Sequence, residues 1–245
     1  MNSEESNMIK HHPSFELIQS FVSGDLPASL AAGIAIHADM CPQCQKQIAQ
    51  LTEQVAEANF EQNFLHKFVV DDGDLAGVEE CLNELDDDLS DLLFDDMISD
   101  ITENDDIAPT VEVTPTIIEM KGHQYTLPKT ISRVDFGKTM QIGKLARARA
   151  QLDEGEIHTS LLHIDPGGSV PEHTHNGFEL TVLLEGSFSD EKGEYVKGDF
   201  IMLDKRHQHH PVSENGCLCY TVANDSLHFT QGINKLLNPI GAFIY

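Results

Sequence analysis

The sequence predicts an α+β, multidomain chain in which a small all-α domain is followed by an all-β barrel or sandwich, and three observations support this. Up to about residue 70, apolar side chains recur at helical spacing. From about residue 117 onward, short strand-like runs are broken by glycine turns. Between them lies a stretch of different composition, dense in acid and ending in a Pro-Thr segment. The 245 residues suffice for two modest domains at roughly 100 to 200 residues each.

Residues 1–70 read as helices on the apolar sets Phe15, Leu17, Ile18, Phe21 and Val22, then Leu26 through Ile36, then Ile48, Leu51, Val55, Phe60, Phe64 and Leu65. Asp25-Leu26-Pro27 reads as a helix start, since aspartate caps and proline is tolerated in the first turn. Residues 71–116 form an acidic segment and linker. Asp71 to Asp106 holds 16 Asp and Glu and no Lys or Arg, so without it the formal charge of −26 would be −10. Val78, Leu82, Leu85, Leu89, Leu92, Met97, Ile98 and Ile101 recur there three and four residues apart. An amphipathic helix and a solvated acidic linker both fit, because like charges at that density oppose helix formation. Residues 117–245 contain HTSLLHI, FELTVLLEG and DFIML, with turns at Asp165-Pro166-Gly167-Gly168 and Glu191-Lys192-Gly193.

Charge and composition exclude several classes of function. A chain this acidic repels phosphate backbones, which argues against direct nucleic-acid binding and for a basic protein partner. No run reaches the roughly 18 to 20 apolar residues of a membrane span, and MNSEESNMIKHH has no secretory pattern, so no membrane association and a cytoplasmic address are expected. Five cysteines are an odd count for a disulfide framework, whereas thirteen histidines point toward metal sites.

The first metal constellation is His37-x3-Cys41-x2-Cys44. His37 and Cys41 share a helix face and Cys44 is reachable across the next turn; His11-His12 is the nearest supply of a fourth donor for tetrahedral zinc. A small domain gains most from such a staple, because binding free energy becomes folding free energy. The double histidine ahead of the first helix and the later His-x3-Cys-x2-Cys resemble the zinc-binding anti-sigma domain. That resemblance implies His12, His37, Cys41 and Cys44 as the zinc ligands.

The second constellation, Gly167-x5-His173-x-His175-x3-Glu179-x6-Gly186, resembles the first cupin motif at every fixed position. His173 and His175 face one way on a strand, and Glu179 can return to that face. Gly198-x10-His209 has the spacing of the second cupin motif, although Asp204, Arg206 and Ser213 replace its proline, glycine and asparagine. Those departures leave His207 and His210 as competitors of His209. Three imidazoles and a carboxylate suit a divalent metal, zinc first and otherwise Mn, Fe, Ni or Cu. The implied fold is a cupin (jelly-roll) barrel. Cys217-x-Cys219 places two thiols on one strand face, as an oxidant-sensitive pair or as two buried small side chains. Cys81, alone among acids, should have a raised thiol pKa and is assigned no role.

Together the two motifs, in the order KHHPSFELIQSFVSGDL, IHADMCPQCQKQ and GCLCYT, resemble the ChrR family of anti-sigma factors. The resemblance implies a regulator, not an enzyme: the helical domain sequesters a sigma factor of the extracytoplasmic-function group, and the cupin domain shapes the response to singlet oxygen or related oxidative stress. The acidic segment is the part least like the family. Its charge suits the basic surfaces of a sigma factor. No GxxxxGK[ST] loop is present, which speaks against a kinase-type antagonist. The alternative is a cupin metalloenzyme of the dioxygenase or isomerase type with an accessory zinc module.

Overall fold

A computed structural model describes residues 8–68, 98–99, 102, 115–225 and 227–229. Three N-terminal helices precede a curled, antiparallel β-sheet half-barrel of the cupin type. Residues 1–52 and 115–245 form one compact unit, and residues 53–114 form a second. Apart from Ile98, Ser99 and Thr102, the acidic segment lies outside the described residues, and with it the leucine repeat and Cys81.

Helix α1 (Phe15–Ser23) begins where the Ser14 hydroxyl accepts the Leu17 N–H, and ends at Gly24, whose φ of +77° closes the last turn. Helix α2 (Ala28–Met40) starts one residue after Pro27, and its N-cap makes no side-chain hydrogen bond. Asp25 therefore sits in the turn and does not cap: a residue before proline favours extended backbone, which holds Leu26 out of the helix. Helix α3 (Pro42–Phe68) follows directly, with proline in its first turn.

The β-region opens with a hairpin, β1 (Ile117–Met120) and β2 (His123–Thr126), and a 3₁₀ turn at Lys129–Ile131. The large sheet comprises β3 (Met140–Ile142), β4 (Leu145–Arg149), β5 (His158–Ile164), β6 (Gly168–Ser169), β8 (Phe178–Asp190), β9 (Gly193–Val196), β10 (Phe200–Asp204), β12 (Val212–Ser213) and β13 (Cys217–Ala223). Its order is β3-β4-β5-β13-β8-β12-β6, with β9 and β10 also paired to β8. A smaller sheet, β11-β7-β14, joins β7 (His173–His175) to β11 (Gln208–His209) and β14 (Leu227–Phe229). At thirteen residues, β8 pairs with β10 through its first half and with β9 through its second, and in this way the sheet curls.

Strand alternation divides the apolar residues between two cores. Leu162, Ile164, Leu183, Cys217 and Cys219 pack inside the barrel. Leu161, Leu180, Val182, Leu184, Leu218, Tyr220 and Val222 face outward, and there they meet Leu30, Ile34 and Ile36 of α2 in one buried cluster. Helix α2 is largely apolar and buries Ser29, Leu30, Gly33, Ile34, Ile36 and His37. Contact with the sheet is close: a Cβ at Gly33 would fall 2.5 Å from a Leu180 methyl carbon. The Tyr220 hydroxyl donates to the Ser29 carbonyl at 2.9 Å. Among the described residues no single helix is long and apolar enough to cross a membrane.

Candidate metal centres

The break between α2 and α3 builds the first centre. His37 lies in the last turn of α2, Cys41 is its C-cap in extended conformation, and Cys44 lies in the first turn of α3. His12 arrives from the segment ahead of α1. The His12 Nδ1, His37 Nε2, Cys41 Sγ and Cys44 Sγ atoms cluster, with His37, Cys41 and Cys44 buried. His12 Nδ1 is 3.4 Å from His37 Nε2, 3.4 Å from Cys41 Sγ and 3.5 Å from Cys44 Sγ, and His37 Nε2 is 3.3 Å from Cys44 Sγ. A tetrahedron with Zn–N of about 2.0–2.1 Å and Zn–S of about 2.3 Å has N–N and N–S edges of roughly 3.4 and 3.6 Å. The donor set and its spacing therefore fit zinc. Burial, and then the neighbouring Cys41, push the Cys44 thiol up to about 12, a cost that a cation between the sulfurs would relieve.

The outer partners of this centre come from the barrel. The His37 Nδ1–H donates to the Gly198 carbonyl at 2.6 Å, which leaves Nε2 facing the cluster. Next in the same β9–β10 turn, Asp199 is fully buried. Its Oδ1 accepts the Lys10 and His11 N–H groups at 2.7 and 3.0 Å, and its Oδ2 accepts the Val196 N–H at 2.8 Å. The Phe200 N–H then donates to the His11 carbonyl at 3.0 Å. One turn of the barrel thus clasps the segment that delivers His12. His11 itself packs its ring on Tyr195, 4.7 Å between centroids, and is not among the clustered donors.

Gly198 is required at this clasp. Its φ is +92°, and a Cβ there would lie 2.4 Å from the Ile9 Cδ1. Sequence reasoning singled out Gly198 only as a spacing mark and missed Asp199 altogether. No local signal could have found the latter, since an aspartate after a glycine reads as an ordinary turn.

The second centre sits inside the barrel. His173 and His175 are two apart on β7 and point to one side. His209 on β11 is the register partner of His173, and their Nε2 atoms lie 2.9 Å apart. His175 Nε2 is 3.4 Å from His209 Nε2 and 3.5 Å from Glu179 Oε2, the carboxylate arriving from β8. Metal–nitrogen bonds of about 2.1 Å give donor–donor edges of roughly 3.0 to 3.4 Å for six to four ligands, so this set fits a divalent ion as well. His207 instead faces Asp204 at 2.9 Å, and the His210 N–H donates to Glu191. Register brings His209 to the cluster and leaves its two neighbours outside it.

Hydrogen bonds orient two of the four residues. The His173 Nδ1–H donates to the Pro171 carbonyl at 2.7 Å, and the Thr181 hydroxyl donates to Glu179 Oε1 at 3.1 Å. The surrounding cavity, lined by Leu162, Ile164, Phe188 and Cys219 among others, has a volume of about 20 Å³. That space corresponds to about one water-sized group.

Burial raises the Glu179 carboxyl to about 8 and lowers His173 and His209 to about 4 and about 2. At neutral pH these two imidazoles already lack the extra proton, while Glu179 must lose one before it can ligate. Metal affinity of the metal-free barrel should therefore fall about tenfold per unit as pH drops below about 8, with roughly one proton released per ion at pH 7. Calorimetry in buffers of different ionisation enthalpy measures both quantities. Affinity that is constant between pH 6 and 8 would contradict this account.

Cys217 and Cys219 are both buried on β13, with their sulfurs 4.0 Å apart. Both belong to the core inside the barrel, and Cys219 also lines the metal cavity.

The chain thus joins a helical module carrying a two-histidine, two-cysteine cluster to a cupin-type barrel carrying a three-histidine, one-glutamate cluster. Residues 123–226 match the ChrR cupin-like domain family. Across 94% of its length the chain is similar to the anti-sigma-E factor ChrR of Cereibacter sphaeroides, at 26% identity and over 97% of that protein. It shares its fold with the crystal structure of Rhodobacter sphaeroides SigE in complex with the anti-sigma ChrR: TM-score 0.55, 22% identity, 88% of this chain and 99% of that one. An RmlC-like cupin protein of Ralstonia eutropha is a more distant match, with TM-score 0.33 and 16% identity over 36% of this chain and 60% of that one.

Proposed function

We propose that this chain is an anti-sigma factor that sequesters a sigma factor of the extracytoplasmic-function group through residues 1–70, and that its cupin domain makes release respond to oxidative stress in the cytoplasm. The supporting observation is the pairing of the His12, His37, Cys41, Cys44 cluster with the barrel cluster in a chain similar to ChrR from end to end. In this reading zinc is held by His12, His37, Cys41 and Cys44. A divalent ion, zinc first and otherwise Mn, Fe, Ni or Cu, is held by His173, His175, Glu179 and His209.

Bound by His12, His37, Cys41 and Cys44, the first ion would supply cross-linking free energy; bound by His173, His175, Glu179 and His209, the second would supply Lewis acidity. The chain's own residues link the two. From the Asp199 clasp, β10 runs along β8, where Leu203 is the register partner of Glu179, toward the loop that carries His209. With an ion bound, a change at Glu179 or His209 would bear on β10, the strand that starts at the clasp of the helical module.

Inhibition by occlusion needs no nucleophile or general base. The alternative is a cupin dioxygenase or isomerase.

The test is co-expression of the full-length chain with an extracytoplasmic-function sigma factor of the same organism, followed by size-exclusion chromatography and metal analysis. A one-to-one complex that dissociates on treatment with singlet oxygen or an organic hydroperoxide is expected. A metal-loaded chain that captures no sigma factor, or one that turns over a small organic substrate, would overturn the proposal.

A further inference from the structure

Outside the barrel, a third cluster of donors has no part in either centre. His123 on β2, His163 on β5 and Asp165 just beyond β5 each offer one donor atom within 4.8 Å of the others. Along β5, Leu161 belongs to the outward core, whereas Leu162 and Ile164 line the metal cavity. Alternation therefore puts His163 on the face of the strand turned away from the second centre.

The hairpin is built to deliver these groups. Lys121 and Gly122 have φ of +51° and +81°, the signature of a two-residue type I′ turn. Among the described residues Lys121 is the one non-glycine with positive φ, a conformation that costs free energy unless the surroundings hold it. Here they do: its ammonium bonds Asp165 Oδ2 and the Gly143 carbonyl, each at 2.6 Å. The turn sets His123 over His163, with ring centroids 5.2 Å apart.

In the absence of an ion two of these donors, His163 Nε2 and Asp165 Oδ1, bond each other directly, and an ion would have to take the place of the proton between them. Lys121 occupies Asp165 Oδ2, so that Oδ1 faces His163 Nε2 at 2.7 Å. His163 Nδ1 is 2.8 Å from the Tyr125 oxygen, the kind of oriented outer contact that fixes a ligating imidazole. Beside them opens a cavity of about 290 Å³, whose wall includes Glu185, Asn215 and Cys217. It leaves room for waters to complete a coordination shell.

We propose that His123, His163 and Asp165 form a third metal site, for a borderline first-row divalent cation such as Zn²⁺ or Ni²⁺. Two imidazoles and one carboxylate favour such ions over Mg²⁺ or Ca²⁺, which prefer oxygen. With three protein ligands and an exposed His123, this site binds more weakly than the two buried four-ligand centres. The competing explanation is that Tyr125, His163 and Asp165 are only a hydrogen-bond chain tying the hairpin to the barrel. His123 separates the two, because it is a donor to the ion but no member of that chain.

The experiment strips the full-length protein of metal with a chelator and titrates it with Zn²⁺, counting equivalents bound. His123→Ala and Asp165→Asn should each bind one equivalent fewer than wild type, the missing one being that which wild type loses first to a mild chelator. His158→Ala, a histidine outside every cluster, should bind as many as wild type. His123→Ala should also melt at the wild-type temperature without metal, since it leaves the hydrogen-bond chain intact. Equal stoichiometry for wild type and His123→Ala would reduce the cluster to that chain. Loss of an equivalent in His158→Ala would assign the third ion to scattered surface histidines.

Discussion

Cys44→Ser should lower zinc affinity at the helical centre by more than about 100-fold, beyond the 10- to 100-fold that loss of an outer partner costs. It should also abolish capture of the sigma factor. Serine oxygen is a poor zinc donor, and Cys44 is 1% exposed, packed with Ile18 and Cys41 where α1, α2 and α3 meet. Apparent binding free energies of structural zinc are about 10 to 16 kcal/mol, comparable with the whole stability of a small domain. Without that contribution the His12 segment is left with the packing of Ile9 against Ile18, Cys41 and Cys44 on the ligand side. The barrel centre draws on other residues, so metal analysis should show one equivalent lost and the His173 cluster still loaded. A Cys44→Ser protein that keeps its full zinc content and captures its partner as wild type does would remove this cluster from the inhibitory role.

Asp199→Ala should have the second largest effect, although Asp199 is no metal ligand. Its carboxylate is fully buried and accepts three backbone N–H groups, those of Lys10, His11 and Val196. Alanine leaves all three without an acceptor, at about 1–3 kcal/mol each, so a loss of about 3–5 kcal/mol is expected after local relaxation. The Lys10–His12 segment would come loose from the β9–β10 turn, and zinc affinity at the helical centre should fall by about 10- to 100-fold, as for other outer partners of metal ligands. Metal content of the barrel should stay the same. Thermal melting with a competitive zinc titration checks both parts. Unchanged melting together with unchanged zinc affinity would show that the clasp neither holds the module nor supports its metal.

Much of the chemistry was legible in the sequence because it depends on short spacings. His37, Cys41 and Cys44 lie within eight residues, and one helix break brings them together. His173, His175 and Glu179 lie within seven, and one strand with its successor does the same. Spacing alone was weaker where the donors came from afar. His12 and His209 each had neighbours of the same type, and what separates them from His11, His207 and His210 is position: His12 faces His37, and His209 is paired in register with His173. The third cluster was not legible at all, since His123 and His163 are forty residues apart and only the β1–β2 turn superposes them. Asp25 was misread as a cap because composition alone does not say which side of Pro27 the helix begins.

The sequence by itself determined the order of a helical and a β-region and singled out most of the residues that cluster as candidate metal donors, because periodicity and ligand spacing are local properties of the chain. Only the tertiary structure decided that the helical module and the barrel share one core. Residues 1–70 read as a small helical domain, and Leu30, Ile34 and Ile36 of α2 pack in one cluster with Leu180, Val182 and Tyr220 of the sheet. It likewise decided that the His12, His37, Cys41, Cys44 cluster has its outer partners in the barrel, at Gly198 and Asp199. The physical reason is common to both. An apolar helix surface and a buried carboxylate must each find partners, but nothing in the local pattern says which distant segment supplies them.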